Sequence, residues 1–113
     1  MERQRIGQSA EDSAVEFLRS RGLTVLLRNY RGKVGELDIV ARDESTLVVV
    51  EVRTRSSDRF GGAAASVDSR KQTKIRRAAA LLVQRRRDLA ALPVRFDVIA
   101  IGPKGLEWIK HAF

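Results

Sequence analysis

The sequence predicts an α/β fold: a mixed five-stranded sheet with flanking helices, its elements in the order α-β-β-β-α-β-β. Three observations carry this. The runs Gly35 to Arg42 and Leu47 to Arg55 are dominated by β-branched and aliphatic residues, and the turn-forming Asp43-Glu44-Ser45-Thr46 separates them. A longer segment, about Val67 to Leu89, repeats apolar residues at helical spacing, with Ile75, Ala78, Ala79, Leu82 and Val83 as its buried stripe. Beyond Pro93, Val94 to Ile101 and Leu106 to His111 form a last hairpin around Gly102-Pro103-Lys104-Gly105, offering Phe96, Val98 and Trp108 to the core.

Taken in order, Ser9 reads as the N-cap of a first helix, with Asp12 three residues on. Ala10, Ala14, Phe17, Leu18 and Arg21 share one stripe of that helix, and Gly22 supplies its C-terminal stop. Glu11, at the edge of the stripe, reads locally as a first-turn acid favoured by the helix dipole. Leu23 to Tyr30 is the first strand, and Arg31-Gly32-Lys33-Val34-Gly35 turns it into the central hairpin, so the first three strands form an antiparallel meander. The loop from Ser56 to Ala65 is longer than most and bears Gly and Ser, as either a mobile flap or an ordinary crossover connection does. If the long helix joins two parallel strands, the crossover is right-handed and the helix starts near the C-terminal end of the Leu47 to Arg55 strand.

With 113 residues the chain is expected to be one domain, residues 1–113, with a single core. It contains no cysteine, which excludes disulfides and thiolate metal sites and fits a reducing compartment. The start, Met1-Glu2-Arg3-Gln4-Arg5, lacks the apolar core of a signal peptide, and no apolar run is long enough to cross a bilayer. A cytoplasmic protein without a membrane partner is the expectation. The net charge of +8 calls for a polyanionic partner, and the preference for arginine over lysine favours bidentate phosphate contact. Arg70, Lys71, Lys74, Arg76, Arg77, Arg85, Arg86 and Arg87 decorate the long helix with no acid from Arg70 to Arg87. A solvated helix usually mixes signs to gain i,i+4 pairs, so a face this one-sided points to nucleic-acid phosphate. The lone His111 has no partner pattern and reads as incidental.

The register of the central hairpin follows from its pattern. Leu37, Ile39 and Ala41 point to one face of the first arm, and Val48, Val50 and Val52 form the more uniformly apolar face of the second. Placing both sets on one core gathers Glu36, Asp38, Glu51 and Arg53 on the opposite face, and a four-residue loop from Asp43 to Thr46 sets Asp38 directly across from Glu51. Shortening that loop by two residues would bring Glu36 there instead. Like charges opposed in a ladder repel, and either a divalent cation or the neighbouring Arg53 and Arg55 must offset them. Lys71 and Gln72 extend the helix stripe backwards from Ile75 towards the same face. Acids, Arg53, Lys71 and Gln72 converging beside a basic helix form the pattern expected for metal-assisted attack on a phosphodiester.

In these residues the chain resembles the restriction-endonuclease-like superfamily with the PD-(D/E)XK signature, and more closely the YraN family of bacterial proteins, which are similar to archaeal Holliday-junction resolvases. The likeness rests on Gly7 and Glu11, Asn29 and Arg31, Gly35-Glu36-Leu37-Asp38, Glu51-Val52-Arg53-Thr54-Arg55, Gly61 to Val67, Lys71-Gln72, and Arg95-Phe96-Asp97-Val98. It implies a restriction-endonuclease-like fold in which Asp38, Glu51 and the Val52 carbonyl ligate Mg²⁺ or Mn²⁺, and Glu11 holds a metal-bound water or supports the site. It also implies that Lys71 and Gln72 contact the scissile phosphate or orient the attacking water. Arg53 stands where the superfamily has lysine. An arginine cannot give up its proton, so the base falls to a carboxylate or to water activated by the metal, and Arg53 is left to hold the scissile phosphate.

The function implied is a metal-dependent endonuclease acting on branched or structured DNA, with Arg70, Lys74, Arg76 and Arg77 binding nucleic acid and a homodimer cutting two strands symmetrically. The alternative is a non-catalytic nucleic-acid-binding module with a decayed site. A basic protein of ribonucleoprotein assemblies is the third option, for which stacking aromatics would be expected.

Overall fold

The computed structural model describes residues 2–55 and 66–113, with side chains from residue 9 onward. Helix α1 (Glu2–Ser20) begins well before Ser9, which is therefore a mid-helix residue and not the N-cap expected of it. Glu2 to Arg5 and Gln8 are strong helix formers, and one Gly7 costs only about 1 kcal/mol, too little to delay the start. Gly22 does end the helix. Its φ of 89° is left-handed, its N–H donates to the Arg19 carbonyl at 3.0 Å, and the next N–H, of Leu23, donates to the Leu18 carbonyl at 3.1 Å. That is a Schellman closure, and Leu18 and Leu23 pack in one cluster as its apolar contact.

Five strands follow the predicted order around one more helix: β1 (Thr24–Gly32), β2 (Gly35–Asp43), β3 (Thr46–Thr54), α2 (Ser69–Arg85), β4 (Val94–Gly102) and β5 (Gly105–Ile109). The sheet order is β1-β2-β3-β4-β5. Only β3 and β4, which α2 separates in sequence, are parallel, while the other neighbours are antiparallel. The turn between β2 and β3 is tighter than a four-residue loop, because Asp43 and Thr46 still pair and Glu44 takes a φ of 53°. The register is nevertheless the expected one, with Ile39 opposite Val50 and Ala41 opposite Val48.

The expected single core is two. Ile39, Ala41, Val48, Val50 and Ile99 pack against Ala14, Val15 and Leu18 of α1, whereas Val40, Leu47, Val49, Val98 and Ala100 pack against Ile75, Ala78, Ala79 and Leu82 of α2. A strand joined by a helical crossover is covered on both faces, so both parities of β3 and β4 are apolar. Leu37 departs from its assigned side and joins the α2 cluster.

Helix α2 is shorter than the predicted Val67 to Leu89. Asp68 caps it, its Oδ1 accepting the Lys71 N–H at 2.9 Å. At the other end the Arg86 N–H reaches back to the Leu82 and Val83 carbonyls, its guanidinium pairs with Asp88, and a 3-10 turn (Arg87–Leu89) buries Leu89. On the α1 side of the sheet, Asp97 is fully buried and accepts four hydrogen bonds: two from Arg95, one from Trp108 Nε1 and one from the His111 N–H. The proposed flap, Ser56 to Ala65, lies outside the described residues. Among them, no helix is long and apolar enough to cross a membrane.

Candidate active site

Main-chain pairing between β2 and β3 ends at Ile39 and Val50. Continuing that register by one residue sets Asp38 opposite Glu51, as the hairpin pattern predicts, but there the strands part. The Val52 N–H, which a regular ladder would direct to a main-chain carbonyl, instead donates to Asp38 Oδ2 at 2.9 Å. On its other side, β2 is paired with β1 at Ile39 with Arg28 and at Leu37 with Tyr30, and between those pairs Asn29, facing Asp38, takes a left-handed φ of 52°. The β1–β2 register is the same before and after Asp38, so the lapse in pairing lies on the β3 side. Because the N–H and C=O of one strand residue point the same way, the Val52 carbonyl is directed towards the gap as well.

The gap opens into a pocket of about 290 Å³, lined by Gly35, Glu36, Asp38, Glu51, Val52 and Arg53 from the sheet and by Lys71, Lys74 and Ile75 from α2. Helix α2 packs against the start of β2 here, where a Cβ on Gly35 would make ordinary contact with the Lys74 carbonyl oxygen at 3.5 Å. Glu51 is only 5% exposed. Burial, and then the charge of Asp38, push its carboxyl up to about 8, against the opposing pull of Arg53 and Lys71. Its Oε1 is buried with no hydrogen-bond partner among the described residues, and so are Nε and Nη2 of Arg53. Glu51 and Arg53, which line the same pocket, thus both carry buried polar atoms with unmet bonding capacity.

The remaining expected residues fall into place unevenly. Glu11 does not line the pocket, yet its carboxyl is raised by burial and then by the charge of Asp38, while Arg28 opposes the rise. Arg28, to which the sequence assigns no role, lies 3.5 Å from Glu11 and also bonds Asp12. No local pattern could have found that pairing, which spans α1 and β1. Glu36 borders the pocket but is exposed and paired with Arg31 at 3.3 Å. Gln72 points about 100° away from Lys71 around the helix, its amide donates to the Val67 carbonyl at 2.9 Å, and it is absent from the pocket lining. Lys74, expected on the nucleic-acid face, lines the pocket instead. Arg70 and Arg77 are exposed, and Arg76 lies against the Phe96 and Phe113 rings.

The donor set suits a hard divalent ion. Among the described residues no group of three or more His, Cys, Asp or Glu side chains is placed to hold a metal, so what the pocket offers is two carboxylates and a main-chain oxygen. Mg²⁺ is commonly held by one or two carboxylates, with water and substrate phosphate completing the shell, and the unpartnered Glu51 oxygen fits that mode.

Comparison with known proteins follows the same span. A model described as uncharacterised protein family UPF0102 matches residues 10–101. The chain is 49% identical over 112 residues to a UPF0102 protein of Pseudomonas entomophila, covering 95% of this chain and 91% of that one. It is 50% identical over 116 residues to one of Cupriavidus taiwanensis, covering 98% and 84%. With one of Hahella chejuensis it shares 46% identity over 111 residues, covering 96% and 89%.

Proposed function

The chain belongs to the uncharacterised protein family UPF0102, the YraN family, and we propose that it is a divalent-metal-dependent endonuclease of the PD-(D/E)XK kind acting on branched or structured DNA. The observation that supports this best is the pairing of Asp38 with the buried Glu51, whose Oε1 has no hydrogen-bond partner among the described residues, beside Arg53, whose Nε and Nη2 have none either. A structural ion pair would satisfy those groups. These stay unmet, as groups awaiting a cation and a phosphate do.

Asp38, Glu51 and the Val52 carbonyl would hold Mg²⁺ or Mn²⁺, which when bound neutralises phosphate charge and makes water a nucleophile at neutral pH. The chain's own residues do the positioning. The Val52 N–H fixes the Asp38 carboxylate. Arg53, which lines the pocket, would face the phosphate as a fixed cation whose charge gains value as negative charge grows in the transition state, and its high proton affinity bars it from acting as a base. Lys71 and Lys74 add point charges on the helix side of the pocket. Arg70 and Arg77, exposed on α2, then meet the phosphates further along the duplex. The test is incubation of the pure protein with duplex, flap and four-way-junction DNA in Mg²⁺, Mn²⁺ or EDTA, scored for strand cleavage.

A further inference from the structure

Helix α2 has two working flanks. One carries Lys71, Lys74 and Ile75 to the acidic pocket. On the other, Arg76, Ala79, Ala80 and Val83 recur at i, i+3, i+4 and i+7 and wall a second groove of about 420 Å³. Its opposite wall includes Leu92, Val94 and Phe96. Val94 is 38% exposed and is one of two large apolar side chains left exposed among the described residues. The guanidinium of Arg76 lies 5.0 Å from the Phe96 ring centroid and 5.4 Å from that of Phe113. These two rings are themselves stacked at 5.3 Å with an interplanar angle of 23°.

The chemistry of this groove is specific in kind. It joins apolar walls to a planar cation held close to two aromatic rings, on a helix with no acid from Arg70 to Arg87. Its volume lies in the range of small-ligand pockets. A flat apolar ligand tied to negative charge satisfies all of this, since base faces stack on guanidinium and apolar surface in a sequence-tolerant way while phosphates answer the basic rim. The bases of an intact duplex are stacked inside it and cannot enter. We propose that the groove takes an unstacked base of single-stranded DNA. The substrate is then duplex DNA with an unpaired arm, a flap or a fork, the arm running over the Arg76 flank while duplex phosphates reach Lys71 and Lys74. The choice of DNA rests on the proposed function, but the groove itself does not.

The test places 2-aminopurine in a single-stranded oligonucleotide and in the arm of a flap, and titrates the full-length protein in EDTA, so that no metal is needed. The fluorescence is expected to change on binding, and Arg76→Ala is expected to weaken flap affinity about tenfold, within the range for losing one stacked base, while changing blunt-duplex affinity by less than about threefold. Ala80→Glu, which puts an acid in the groove, should do the same, and thermal melts establish that both variants fold. The proposal is overturned by an unresponsive fluorophore, by equal losses on duplex and flap, or by tighter binding of an RNA arm of the same sequence. It is likewise overturned if Ala80→Glu abolishes self-association but not arm binding, which would assign the groove to a second copy. Mn²⁺ calorimetry on the same preparation separates the two readings: arm binding without Mn²⁺ binding supports the groove while the metal site fails, and Mn²⁺ binding without arm binding overturns the groove alone.

Discussion

The Val52 N–H donates to Asp38 Oδ2 at 2.9 Å, just beyond the last β2–β3 main-chain pair of Ile39 with Val50. A side chain has taken the place of a main-chain acceptor, which keeps the donor satisfied where the strands part and holds a carboxylate at the mouth of the gap. The local structure and the proposed chemistry thus share one bond.

Asp38→Asn keeps an oxygen for that bond while removing the charge. The fold should survive, and Mn²⁺ affinity measured by calorimetry should fall by about tenfold or more, because ligand charge dominates binding of hard cations. Equal affinity in wild type and variant would place the metal elsewhere.

Glu51 makes the metal-free fold sensitive to pH. Its carboxyl is raised from 4.5 to about 8 in the folded chain, so between those values the unfolded chain releases a proton that the folded chain keeps. The contribution of Glu51 to stability is therefore greatest below pH 4.5 and is lost as pH rises to about 8, by up to about 1.4 kcal/mol per pH unit. Metal displaces that proton, so Mn²⁺ affinity should rise with pH over the same window. Urea denaturation in EDTA from pH 5 to 9 checks the first part: wild type should lose stability relative to Glu51→Gln as pH increases. A constant difference between the two would contradict it.

Phosphate contacts by α2 predict a steep salt dependence of DNA binding. Replacing both Arg70 and Arg77 by Ala should lower the slope of log K against log salt by about 1 to 2, in line with one or two lost contacts. An unchanged slope in anisotropy titrations would remove that face from the interface.

Asp97 is expected to be structural. Asp97→Ala strands Trp108 Nε1 and the His111 N–H and leaves the part-buried Arg95 with only its longer contact to Asp43 among the described residues, and should cost about 3 to 5 kcal/mol in chemical denaturation. A loss below about 1 kcal/mol would show that the network is dispensable.

The order of elements along the chain and the register of the central hairpin were legible because strand alternation and a short turn leave few registers open. The second core was not. Alternation in β2 and β3 points to a single apolar side, while Val40, Leu47 and Val49 show that the crossover helix covers the other side too. The early start of α1 was hidden because Ser9 and Asp12 form a plausible cap that the helix simply runs through. Extending the helix stripe backwards from Ile75 admits both Lys71 and Gln72, yet neighbouring residues on a helix point about 100° apart, and of these two only Lys71 meets the pocket. The left-handed Asn29, the Arg28 bond to Glu11 and the Arg76 stack depend on contacts between distant segments, which periodicity does not encode.

The most direct test of the central claim is the single-turnover rate at which the protein cuts a labelled flap and a four-way junction, measured for wild type, Arg53→Ala and Arg53→Lys. The account predicts cutting by wild type in Mg²⁺ or Mn²⁺ and none in EDTA. It predicts a loss of about a hundredfold or more in Arg53→Ala with DNA affinity nearly unchanged, and measurable cutting by Arg53→Lys, which keeps the charge without the planar fork. Metal-dependent cutting undiminished in Arg53→Ala would put the active site elsewhere, and no cutting of any substrate by wild type would leave a DNA-binding module in place of an enzyme.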